Sequence, residues 1–316
     1  MIGEPIRVRL RERTPRLWTL WAASRPSQLA LILLVYALGV GMATAGPPVV
    51  VDGADVGSTS FRLSALAGAL AVLPVAVAIH YANEYADIET DALTERTPFS
   101  SGSGALEATG LSAGFLRRAT VGVTVVSGCG VVLAAATLPL DAVGVLVAIL
   151  LAGLGYSLPP VALIRRGLGE FVNAVLGGLL LPLYGVTVVA TPTGIAGLAV
   201  VPFVLVVGCN LFATHWPDRE ADAAVGKRTL VVRWSPRGIR RAYAVLGLGA
   251  VAVTTGLWAA AAVPTAVGVA TLASLSILVW GWTTLTRQRD PSPSVVAMVV
   301  LAVASTVAWW WVGLGP

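Results

Sequence analysis

Nine long apolar runs divide this chain, and they decide which solvent it folds in. A helix that crosses the hydrocarbon core of a bilayer needs about 20 mainly apolar residues. Runs near that length cover residues 28–46, 63–82, 115–137, 141–157, 168–189, 195–215, 241–261, 263–285 and 294–314. Only 12% of the 316 residues are charged, against about 25% in an average soluble domain, too few to clothe a water-soluble surface of this size. The 34 glycines suit the close approach of membrane helices. The expectation is an all-α, polytopic membrane protein with nine transmembrane helices in one bundle.

Charge gives an independent test of that count. With the N-terminus placed in the cytoplasm, the inside segments collect 20 of the 21 Lys and Arg residues, and only Arg62 falls outside. Such asymmetry is the positive-inside pattern, and one helix too many or too few would scramble it. The N-terminus is therefore expected inside and the C-terminus outside. Residues 1–27 read as a basic cytoplasmic arm and 28–316 as a single transmembrane domain. The net charge of +5 follows from topology. The arm can touch anionic headgroups, and it lacks any nucleic-acid-binding motif. Ala43-Thr44-Ala45 resembles a signal cleavage site, but eight more apolar runs follow, so the first helix is read as uncleaved. Cys129 and Cys209 lie in separate apolar runs and read as small packing residues. Trp309, Trp310 and Trp311, near the outer end of the last run, read as an interfacial belt.

The acids are concentrated at the inner ends of the second and sixth runs. Asn83, Asp87 and Asp91 recur every four residues, so on a helix each lies only about 40° from the last. Asp218 and Asp222 repeat that spacing after the sixth run. Like charges so spaced repel, and a cation between them removes the penalty. Mg2+ fits, because it takes oxygen ligands, binds through one or two carboxylates and fills its shell with water and phosphate oxygens. Runs two and six traverse the membrane in the same direction, so both clusters belong on one side. Arg96, Lys227 and Arg228 follow the two clusters and can neutralise further phosphate charge. Solvated loop charges are the bland alternative, and the duplication at equivalent helix ends argues against it.

These motifs resemble the UbiA superfamily of intramembrane prenyltransferases. Asn83-x-x-x-Asp87-x-x-x-Asp91 and Asp218-x-x-x-Asp222 look like its two signature motifs. Arg25-Pro26 before the first run, and Gly155-Tyr156-Ser157-Leu158-Pro159-Pro160 with Arg165-Arg166 after the fourth, are similar too. The resemblance spans essentially the whole chain. It implies a bundle around a central cavity, with Mg2+ and a prenyl diphosphate at the cytoplasmic mouth, and an acceptor attacked by the allylic cation. It implies Mg2+ ligation by Asn83, Asp87, Asp91, Asp218 and Asp222. It further implies diphosphate contacts from Arg25, Arg96, Arg165, Lys227 and Arg228, and a cavity-side aromatic at Tyr156. Gly226-Lys227-Arg228-Thr229-Leu230-x-Val232-Arg233 looks most like the 1,4-dihydroxy-2-naphthoate prenyltransferases of menaquinone biosynthesis, although Thr214 stands where the second motif often has Asn or Asp. A glycerol-phosphate lipid and a carotenoid end group are the other acceptors considered.

His80, His215 and Asn173 are candidates for the acceptor side, each with a plain structural alternative. Glu170 is either functional or an exposed acid at a helix start. Tyr156 is either cavity-side or an interfacial tyrosine. The Ser- and Gly-rich stretch 97–110 is either a roof over the site or a flexible connector. A transporter is disfavoured, because ionisable residues are nearly absent from the middles of the runs. The layout also suggests two related halves, helices one to four and five to eight, with an added ninth.

Overall fold

The structure is a computed structural model, and it describes residues 11–94, 99 and 102–315. Arg96 and part of the 97–110 stretch lie outside the described residues. Among the described residues the chain is all-helical, with nine helices long and apolar enough to cross a membrane. These spans, numbered one to nine, are Pro26–Thr44, Thr59–Ala86, Ala113–Ala134, Leu140–Ser157, Gly169–Val189, Gly194–His215, Pro236–Ala259, Thr265–Thr284 and Ser292–Leu314. Each contains the core of one apolar run read from the sequence. Span two exceeds its run at both ends, starting where Ser58 caps the amide of Phe61 at 3.1 Å.

Outward surfaces explain why the hydropathy signal is so strong. Leu63, Leu66 and Leu70 recur at helical spacing on span two and are all exposed. Val121, Val125 and Val132 do the same on span three. Apolar stripes this continuous are a surface made for lipid. The opposite faces meet in the core, where Val72, Val75, Leu146, Tyr184, Val206 and Leu301 are nearly inaccessible.

Small residues let the backbones meet. A Cβ on Gly39 of span one would collide with the carbonyl oxygen of Pro182 on span five. A Cβ on Gly178 would come within 2.7 Å of the Val204 Cα on span six. Gly178 sits in a π-helical turn over Leu176–Leu180, one of the bulges that re-aim side chains within a helix. Tyr36 and Tyr184 then tie spans one and five to span two, through hydroxyl hydrogen bonds to the carbonyls of Ala65 (2.7 Å) and Gly68 (3.0 Å).

At one end, the connection after span one pairs with the connection after span five. The Val51 amide donates to Thr191 O and the Thr193 amide to Val49 O, each at 3.0 Å. At the other end lie the acidic motifs and most of the arginines.

The described part of the N-terminal arm holds a helix, Pro15–Ala23, docked on the short helix Ala105–Thr109, with Thr19 and Thr109 hydroxyls 2.9 Å apart. Two expectations change. Trp309 is buried and Trp310 donates to Ala37 O at 2.9 Å, so only Trp311 of the triplet faces outward as a belt residue would. Cys209 is buried against the carbonyl of Tyr243, whereas Cys129 faces outward and packs nothing in the core.

Candidate active site

The first acidic motif straddles a break in the chain. Span two ends at Ala86, Asp87 leaves helical geometry, and a single turn follows over Ile88–Asp91. The four-residue register survives the break, because the Asp87 amide donates to Asn83 O at 3.0 Å and the Asp91 amide to Asp87 O at 2.8 Å. The second motif repeats the device. Span six ends at His215, and Asp218 begins the short helix Arg219–Ala224, where the Asp222 amide donates to Asp218 O at 2.8 Å. A turn that is not locked into a long helix can aim its carboxylates inward.

The two motifs meet through one cation. Lys227 is buried, and its Nζ lies 2.9 Å from Oδ1 of Asp87 and 2.9 Å from Oδ1 of Asp222. The two carboxylates outweigh the cost of burying the ammonium and raise its affinity for a proton above the ordinary lysine value. Apart from this ion pair the buried Asp222 Oδ1 has no partner, so it keeps an acceptor site unfilled. Gly226 makes the arrangement possible with φ +75, turning the chain so that the Lys227 amide returns to Asp222 O at 2.9 Å.

Asp91 stands beside the same group. Burial, helped by the charges of Asp87 and Glu84, pushes its carboxyl up to about 7. Asn83 turns its Oδ1 toward span four, accepting a hydrogen bond from the Ser157 hydroxyl at 3.0 Å. Tyr156, next in the chain, is buried rather than at a lipid-facing position, and Asp87, Glu170 and Asp222 are the acids whose charges reach its hydroxyl. Asp218 is half-buried at the start of its turn.

The remaining candidates fall into distinct places. Arg25 sits in the left-handed region at φ 51 and donates from Nε to Glu84 Oε1 at 2.8 Å. Burial alone would favour losing its proton, but Glu84 overrides that and holds it charged. His80 contacts Ser24 O through Nδ1 at 2.8 Å, which fixes the proton on that nitrogen, because a carbonyl can only accept. His215 Nδ1 is 3.5 Å from Glu170 Oε1. Glu170 is buried, not an exposed helix-start acid. Asn173 is half-buried one helical turn further along span five. Arg165 donates to Val225 O at 3.1 Å, and both Arg165 and Arg228 are exposed.

Glu84 is the residue that sequence reasoning passed over. Its signal was present: an acid inside the first motif, with a lone arginine at the entry to span one to balance it.

A family model described as the UbiA prenyltransferase family matches residues 53–313. The chain belongs to that family. Solved structures with the UbiA fold include a UbiA homolog from Archaeoglobus fulgidus bound to DMAPP and Mg2+. It matches with TM-score 0.67 and 16% identity, over 92% of this chain and 99% of that one. A UbiA homolog from Aeropyrum pernix K1 matches with TM-score 0.65 and 16% identity, over 88% of this chain and 96% of that one. A third, from work on digeranylgeranylglyceryl phosphate synthase, matches with TM-score 0.64 and 15% identity, over 93% of this chain and 99% of that one. No curated protein sequence matches the chain. This UbiA chain is thus a prenyltransferase by family and shares the fold of these structures.

The donor set of this UbiA enzyme can be tested against a magnesium ion. Among the described residues, no three acidic, His or Cys side chains stand close enough together to enclose a metal as they are. The ammonium of Lys227 lies between the nearest two acids. Those acids nevertheless present hard oxygen donors, one with an unfilled acceptor site, converging on one positive charge. That is the chemistry a divalent cation requires, so the residues fit the ion.

Proposed function

We propose that this UbiA-family enzyme transfers a prenyl group from a polyprenyl diphosphate to a lipophilic aromatic acceptor, using Mg2+. The acceptor proposed is 1,4-dihydroxy-2-naphthoate, as in menaquinone biosynthesis. The observation that carries the reading is the convergence of Asp87 and Asp222 on Lys227, which joins the two motifs in one polar site. Homologs of the same fold bind DMAPP and Mg2+, or GPP and Mg2+.

In this reading Asp87, Asp91, Asp218 and Asp222 hold the ion, with Asn83 beside them. Bound there, Mg2+ supplies positive charge that opposes the charge growing on the departing diphosphate. Lys227, with Arg228, Arg165 and Arg96, supplies further positive charge to the same oxygens. The surrounding apolar spans keep water from the allylic cation. Tyr156, Asn173, His215 and His80 face the acceptor. The arginine-rich end is proposed to face the cytoplasm, with the enzyme in the cell membrane.

The test is incubation of the purified protein with Mg2+, labelled geranylgeranyl diphosphate and single acceptors. Labelled naphthoate product is expected, and Asp87→Asn or Asp222→Asn should lower turnover by about 100-fold or more. Folded protein that makes no product with any acceptor would sink the prenyl-transfer reading. A glycerol-phosphate lipid is the second acceptor to try, because a structure of similar fold comes from work on digeranylgeranylglyceryl phosphate synthase. Product with that lipid and none with naphthoate would reassign the acceptor and leave the transfer chemistry intact.

A further inference from the structure

Two buried acids, Glu84 and Glu170, lie outside the proposed ligand set, at 6% and 3% exposure. Charges so enclosed are costly unless their oxygens are well satisfied. Glu84 is bonded through both oxygens, whereas Glu170 is bonded only through Oε1 and its buried Oε2 has no hydrogen-bond partner, yet the partners come from matching places.

Glu84 ends span two, three residues before Asp87. It receives the Arg25 guanidinium from the start of span one, through Nε at 2.8 Å and through a second nitrogen. It also receives the Ser103 amide at 2.8 Å and the Ser103 hydroxyl at 2.7 Å. Ser103 belongs to the connection that follows the first acidic motif.

Glu170 starts span five. Its Oε1 accepts the Leu230 amide at 2.7 Å and the Val231 amide at 3.4 Å. Those residues belong to the connection that follows the second acidic motif. The same oxygen is 3.5 Å from Nδ1 of His215, which ends span six three residues before Asp218.

Each carboxylate therefore joins the same three parts of its half: the start of one helix, the end of the next, and the connection beyond the acidic motif. The polarity is exchanged between halves. In the first, the base opens the helix pair and the acid closes it. In the second, the acid opens and the base closes. Two related halves predict that the position of the junction is kept while either side can carry the charge.

The connections held this way carry the site. Gly102, beside Ser103, presses on Asp91: a Cβ there would collide with its carboxylate. Lys227 lies three residues before Leu230, and Thr229 caps the turn Leu230–Arg233 by accepting from the Val232 amide.

We propose that Glu84 and Glu170 are matched positioning residues that latch the two polar-end connections over the diphosphate site. Glu84 fixes the chain lying on Asp91, and Glu170 fixes the chain carrying Lys227. Neither touches substrate. The proposal rests on the diphosphate reading of that site.

The experiment is hydrogen–deuterium exchange on the full-length protein in lipid nanodiscs, without substrate, beside steady-state kinetics. Glu84→Ala should raise exchange across 102–110 about ten-fold and leave 228–235 unchanged; Glu170→Ala should do the reverse. Glu84→Gln and Glu170→Gln keep an acceptor oxygen and should fall between. They also serve where an Ala variant does not fold. The two Ala variants should raise KM for the prenyl diphosphate about ten-fold and the two Gln variants by less, all with kcat within about three-fold of the parent. Unchanged exchange in the connection concerned overturns the proposal, and so does raised exchange with unchanged KM. Wild-type protein inactive with every acceptor would instead refute the diphosphate reading, while the exchange result would still report on the latches.

Discussion

Asp87 and Asp222, from opposite halves of the chain, approach the same ammonium nitrogen at the same distance, 2.9 Å. The two motifs meet at Lys227, which keeps the half-buried Asp87 and the buried Asp222 carboxylates from repelling one another.

Replacing that lysine separates its two tasks. Lys227→Met leaves two facing carboxylates unneutralised, and breaking a buried pair in this way costs about 3–5 kcal/mol. The expected result is a lower unfolding temperature without Mg2+, partly recovered when Mg2+ is added. Turnover should stay depressed with Mg2+ present. Thermal unfolding monitored with and without the ion checks this. A variant as stable as the parent in chelator would show that Lys227 does not balance the acids.

Gly102 gives a sharper steric test. It sits at φ +68, a region L-residues occupy at a cost of about 1–2 kcal/mol, and a Cβ there meets the Asp91 carboxylate. Gly102→Ala should lower kcat/KM by about ten-fold or more, whereas Gly114→Ala, where a Cβ meets nothing closer than 3.7 Å, should not. Equal activity of the two variants would rule out a constrained contact at Asp91.

The Ser157 hydroxyl orients Asn83 across the gap between spans two and four. Ser157→Ala should lower kcat/KM by about five-fold, in line with about 1 kcal/mol for one such hydrogen bond. The effect should appear as a higher Mg2+ concentration for half-maximal rate. Identical Mg2+ dependence of the two proteins would assign Ser157 no part in the site.

Packing is most exposed to test where spans one and five cross. Gly39→Val would drive its side chain into the Pro182 carbonyl, an overpacking error worth about 1–3 kcal/mol or more. Unfolding in detergent should shift accordingly. A neutral result would mean that the crossing opens at little cost.

Much of this was legible in the sequence because bilayers impose simple rules. Span length and the bias of Arg and Lys toward one side gave nine helices without any knowledge of packing. The repeated four-residue spacing of acids marked two segments that the fold brings together at Lys227. Three things were hidden, each for a physical reason. The helical-face argument assumed that spans two and six continue through their motifs, whereas they break at Ala86 and His215 and keep the register through isolated backbone hydrogen bonds. Glu170 looked like a solvated helix-start acid because its partners, the amides of Leu230 and Val231, are distant in sequence. Trp309 and Trp310 looked interfacial because hydropathy reports depth in the membrane and says nothing about rotation around a helix axis.

The backbone pairing of residues 49–51 with 191–193, at the end remote from the acids, has a mechanical consequence. It pins the two connections to one another. With the halves pinned there, any rocking of one against the other is smallest at the pin and grows along the length of the spans. On the proposed diphosphate reading, that swing is greatest at the arginine-rich end, where the donor's charged headgroup would enter and the charged leaving group depart.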